Sequence, residues 1–145
     1  MRLFLSLLLF FTSYVGAQED SVHESVQKSI GKILLYQDIN TRYLVGNPGN
    51  GHYYLPYIIQ EEYETSISSL SVEDRVRFIW GVISFAKFGS HGTAEFAGLI
   101  KKCCASEFRD SAESYLKKAE ENGNKSPAYI DESMVFKAKF FLRSI

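Results

Sequence analysis

Histidine and cysteine are the side chains of this chain suited to proton abstraction, zinc ligation or nucleophilic attack, and it holds three of the first and two of the second. His23 falls among Glu24, Gln27 and Lys28 on what reads as the polar side of a helix, where a solvated surface role is the simplest account. His52 and His91 each sit in a glycine-rich stretch. If those stretches meet, the imidazoles would flank a cleft with Glu95 or with one of Glu61, Glu62 and Glu64, the makings of a histidine and carboxylate hydrolase. The spacing fits no metal motif such as H-E-x-x-H, and no nucleophile is linked to a base and an orienting group. No catalytic residue, metal site or cofactor is therefore expected.

Cys103 and Cys104 are adjacent and cannot staple distant segments together. Phe96, Leu99, Ile100 and Cys103 recur at helical spacing, with Cys104 beside them, so the plain expectation is two buried thiols acting as small hydrophobes. The sharper alternatives are a disulfide to a second copy, giving a homodimer, a disulfide between the two neighbours, or a thiol nucleophile paired with His91.

Recognition chemistry is better represented. Over residues 42–57, Tyr43, Tyr53, Tyr54 and Tyr57 are interleaved with Gly and Asn. Tyrosine brings broad amphipathic contact at low entropic cost, and Gly and Asn bring an adaptable backbone, the mixture found in protein-binding loops. The expected partner-binding residues are Tyr43, Asn50, His52, Tyr53, Tyr54 and Tyr57, joined by Ser90 and His91 from the Gly-containing stretch 88–93. The plainer alternative has some of these tyrosines pinning the loop to the body of the protein.

The chain begins with an address. Arg2 precedes an apolar run from Leu3 through Phe11, and Val15, Gly16 and Ala17 supply a small-residue cleavage site, the pattern of a secretory signal peptide over 1–17. Thr12 and Ser13 interrupt the run well before the roughly 20 apolar residues of a membrane span. Cleavage after Ala17 would leave 145 − 17 = 128 residues, one domain over 18–145, with no stable membrane anchor. Without Arg2 the mature chain carries 16 − 1 = 15 Lys and Arg against 17 Asp and Glu, a formal charge of −2. That overall balance offers no field for gathering phosphate backbones or anionic lipid, so nucleic acid is not an expected partner. Asn124-Lys125-Ser126 matches a glycosylation acceptor, but Pro127 follows it at once.

The elements that must position these residues all show helical periodicity. Ser21 reads as a cap to a stripe of Val22, Val26, Ile30, Ile33 and Leu34, broken at Asp38-Ile39-Asn40-Thr41. Gly46-Asn47-Pro48-Gly49-Asn50-Gly51 is the densest turn-forming run and predicts an irregular segment over 42–56. Pro56 suits the first turn of a second helix with Ile59, Tyr63, Ile67 and Leu70 inward. Ser71 caps a third helix over 72–87 that is apolar nearly all round and belongs at the centre, with Gly81 open to close helix approach and Gly89 closing it. Thr93 begins a short helix through 104, Ser106 a further one ending at Asn122-Gly123-Asn124, and Ser126-Pro127 a last one with Ile130, Met134, Ala138, Phe141 and Leu142 inward.

The fold expected is all-α, a compact bundle of five to six helices with one long loop rich in Gly, Asn and Tyr. The function expected is that of a secreted or periplasmic, non-enzymatic protein-binding module, of the immunity or inhibitor kind directed against an envelope-acting toxin or hydrolase. A small helical carrier of an apolar ligand is the alternative, ahead of the hydrolase.

Overall fold

The computed structural model describes residues 23–43, 48–88, 90–125 and 131–145, with backbone alone at 39–43, 48–54, 90, 91 and 125. Residues 1–17, read above as a signal peptide, lie outside them. Helix α1 spans Glu24–Tyr43, α2 Pro48–Glu62, a π-helical turn Tyr63–Ile67, α3 Val72–Phe85, α4 Ser90–Lys125 and α5 Glu132–Ser144. Among the described residues there is no strand, and the architecture is all-α.

Helix α3 is the hub, touching α1, α4, α5 and the π turn. Its start is as expected: Ser71 Oγ accepts from Asp74 N at 3.1 Å and donates to Asp74 Oδ2 at 2.9 Å, while Arg77 holds the other carboxylate oxygen at 3.1 Å. Phe78, Ile79, Gly81, Val82 and Ile83 are buried along it. Around them lie Val26 and Ile33 of α1, Leu55 and Ile59 of α2, Phe96, Ala97, Ile100, Phe108 and Ala112 of α4, and Phe141 of α5. Trp80 donates from Nε1 to Ser111 Oγ at 2.8 Å and packs its ring on Phe108, which fixes α3 against the second half of α4.

The end of α3 differs from expectation. It stops at Phe85, with Ala86 extended, and its last carbonyls are closed from afar. Lys137 Nζ of α5 donates to Ile83 O at 2.8 Å and to Ser84 O at 3.4 Å, and Gln37 Nε2 of α1 donates to Phe85 O at 3.3 Å. Gln37 Oε1 also accepts from Lys87 N at 3.0 Å. These groups satisfy the orphan acceptors that any helix C-terminus presents.

The long loop is the main correction. Residues 48–56 are helical, and Pro56 stands inside α2 rather than in its first turn. A proline in a helix interior costs about 3 kcal/mol. Leu55 and Ile59 are almost fully buried on the same helix and contribute roughly 1.5–3 kcal/mol each. The four-residue apolar step of Ile59, Tyr63 and Ile67 thus runs back to Leu55, and tertiary burial overrides the Gly and Asn propensity. The π turn keeps Tyr63 and Ile67 both inward, with Ser68 N donating to Tyr63 O at 2.8 Å.

Two further starts move. Helix α4 begins at Ser90 rather than Thr93, and the break expected between two helices at 104–106 is present as a kink at the non-helical Cys104, where φ is −169° and ψ 41°. Helix α5 begins after Asp131, whose Oδ1 accepts from Met134 N at 3.0 Å, rather than at Ser126-Pro127, which lies outside the described residues. The expected inward residues Ala138 and Phe141 are buried, with Met134 and Leu142 packed beside them.

Candidate functional site

The helical conformation of α2 changes what its tyrosines can do. Leu55 and Ile59 take one side of the helix into the core, which leaves Tyr57, two residues from each, on the outward side at 58% exposure. Positions 50, 53, 54 and 57 follow at steps of three, one and three, the spacing of a single helical face. Helical backbone over 48–57 stands where an adaptable loop was expected. Of the eight residues expected to meet a partner, Tyr57 is the one whose side chain is described; those of Tyr43, Asn50, His52, Tyr53, Tyr54, Ser90 and His91 lie outside the described residues.

Helices α1 and α2 are joined through residues 44–47 and run side by side in opposite directions, clipped where Lys32 Nζ meets Glu62 Oε1 at 2.8 Å. Further along α1, Leu35 is 59% exposed. Sequence reasoning passed over Leu35 because it falls off the stripe of Val26, Ile30, Ile33 and Leu34. An apolar residue off the inward stripe was the available signal. The hairpin therefore presents two large apolar side chains to solvent, with the exposed Gln60, Glu61 and Glu64 continuing the outer side of α2. No known protein family, characterised protein or solved structure matches this chain. The reading of the site rests on its own geometry.

Whether the two glycine-rich stretches bring His52 and His91 together lies outside the described residues; the contact that is described joins Gly92 to Pro56. Gly92 is buried against α2, where a Cβ in its place would lie 2.8 Å from Pro56 Cγ. Phe88 stacks on Phe96 with ring centroids 5.0 Å apart and meets Phe141 edge-on. The close approach that the 88–93 stretch was expected to offer a partner is used, at Gly92, to seat α4 on α2.

The carboxylates proposed for a hydrolase are engaged elsewhere at Glu62, paired with Lys32, and at Glu64, which accepts from Gln60 Nε2 at 2.9 Å. Cys103 and Cys104 are joined to each other. This corrects the expectation of two separate thiols, removes the nucleophile from a pairing with His91, and leaves neither sulfur for a second copy. The pair sits at the α4 kink, Cys104 buried and Cys103 half-buried. Among the described residues no group of three or more His, Cys, Asp and Glu could hold a metal ion, and no helix is long and apolar enough to cross a membrane.

Proposed function

We propose that this chain is an exported, non-enzymatic protein-binding module of secreted or periplasmic location, of the immunity or inhibitor kind that occludes an envelope-acting toxin or hydrolase, and that it docks through the α1–α2 hairpin. The observation that carries this reading is Tyr57, held 58% exposed on a helix whose opposite side is locked in the core. A tyrosine presented on a regular element loses little further freedom on binding, and such aromatic anchors dominate protein interfaces. Leu35 on the paired helix extends the apolar contact. The apolar run of 3–11 followed by Val15-Gly16-Ala17 supports the extracytoplasmic address.

The test is an affinity pull-down from the native host with the mature chain, compared with a Leu35→Ser, Tyr57→Ala variant. A partner held by the parent and lost by the variant, at unchanged helical content, is expected. Full retention by the variant overturns the hairpin as the docking face.

A further inference from the structure

The last helix carries a second outward face, on the far side of its buried Ala138 and Phe141. Phe136, Lys139, Phe140 and Arg143 follow at steps of three, one and three, so they form one strip along α5. All four are exposed, Phe136 at 69% and Phe140 at 41%. Their rings sit 6.5 Å apart and continue an aromatic series that runs inward: Phe140 meets Phe141 at 5.4 Å, Phe141 meets Phe96 at 5.3 Å, and Phe96 meets Phe88 at 5.0 Å. An interior aromatic cluster thus reaches the surface at Phe136 and Phe140.

Charge identifies what covers it. The whole chain is acidic by one unit, yet residues 136–145 hold Lys137, Lys139 and Arg143 and no Asp or Glu. Lys137 turns its amine to Ile83 O and Ser84 O. Lys139 and Arg143 are left on the strip, each beside a phenyl ring, with Glu132 the acidic side chain one turn before it. Exposed phenyl rings flanked by cations on one helical face match the boundary of an anionic bilayer, where the rings enter the acyl region and the cations meet phosphate. A protein partner would have to supply both an apolar pocket and carboxylates at the same one-turn spacing; a lipid surface offers both at any register.

We propose that the Phe136, Lys139, Phe140 and Arg143 strip of α5 seats the protein peripherally on an anionic phospholipid surface. This contact is separate from the α1–α2 hairpin and stands or falls without it. Each cation near such a surface contributes about a fivefold preference, so the pair sets an upper limit of roughly a thirtyfold excess over a neutral surface at low salt, which the exposed Glu132 one turn away lowers.

The experiment is co-sedimentation of the mature chain with vesicles of mixed phosphatidylglycerol and phosphatidylcholine, against vesicles of phosphatidylcholine alone. Binding to the anionic vesicles, weakened by added salt, is expected. A Lys139→Glu, Arg143→Glu variant should lose that excess, and a Phe136→Ser, Phe140→Ser variant should lose sedimentation altogether. Both replace exposed side chains, and circular dichroism shows whether the helices are kept. Equal binding to the two vesicle types, binding to neither, or binding unchanged in either variant overturns the proposal. So does a dimer in light scattering that the Phe136→Ser, Phe140→Ser variant abolishes, which would assign the strip to a second copy.

Discussion

Replacing Lys137 by methionine keeps the apolar stem of the side chain out to the ε position and removes its ammonium, which isolates its role at the end of α3. Ile83 O, 2.8 Å from Nζ, belongs to an almost fully buried residue and loses its long-range donor; a buried acceptor left unpaired costs about 1–3 kcal/mol. Ser84 O, at 3.4 Å in an exposed residue, is taken over by water. A cation at a helix C-terminus adds about 0.3–1 kcal/mol, reduced here because the site is partly solvated. Against this, burial holds the Lys137 ammonium below its ordinary 10.5, with Asp131 pulling the other way and Lys87 adding to the lowering, so methionine removes a desolvated charge. The net expectation is a loss of about 1–2 kcal/mol at neutral pH. It would be read as a lower urea midpoint at unchanged m-value, while Lys139→Met on the exposed side stays within about 0.5 kcal/mol. The pH dependence has a definite sign. The folded-state pKa lies below the unfolded one, so the unfolded chain binds more protons in the interval below 10.5, and the contribution of Lys137 rises as pH is raised through it. The gap between parent and Lys137→Met should widen there. A variant as stable as the parent, or a gap that narrows with rising pH, refutes the capping role.

Ser71→Ala removes the acceptor for Asp74 N and frees a partly buried carboxylate from its hydroxyl donor, and should cost about 1 kcal/mol in urea denaturation. Gly92→Ala would place a methyl 2.8 Å from the Pro56 ring, and neither a proline ring nor the adjoining helix yields cheaply. A loss of about 1–3 kcal/mol is expected, with faster amide exchange in α2 and early α4 as its local mark. Gly98→Ala, where a Cβ meets nothing within 4 Å, is the matching control and should be neutral or slightly stabilising.

The inward stripes were legible because burial imposes a three-to-four-residue period on any packed helix. Val26 and Ile33, Ile59, Tyr63 and Ile67, Ile79 and Ile83, and Ala138 with Phe141 were all identifiable in this way, while Phe78 and Val82 are buried off that stripe. Caps were legible where the side chain bonds to its own turn, as at Ser71, and illegible where closure comes from another helix. Nothing local to α3 announces that Gln37 and Lys137 finish it across separations of 48 and 54 residues. Boundaries failed where Gly, Asn and Pro were weighed as breakers without the burial that opposes them: Pro56 sits inside α2 because Leu55 and Ile59 are locked in the core, whereas the break expected at 104–106 is found as the kink at Cys104. For the candidate surfaces, the usable signal lay in the apolar residues that the stripes leave out. Leu35, Tyr57, Phe136 and Phe140 are all off-stripe, and all four are exposed.

The two outward faces depend on α3 in a common way. Gln37 ties its C-terminal end to α1, and Lys137 ties the same end to α5, so the helix bearing Leu35 and the helix bearing Phe136 are both anchored within three consecutive carbonyls. Leu35, Tyr57, Phe136 and Phe140, by contrast, are exposed. Substituting the outer residues therefore changes what each face can bind without loosening the body, and the faces share no residue through which a change at one would reach the other. Losing an anchor acts differently: it frees an end of α3 and slackens the elements on both sides. A hairpin variant that keeps its vesicle binding, and a strip variant that keeps its protein partner, are what this division of labour requires.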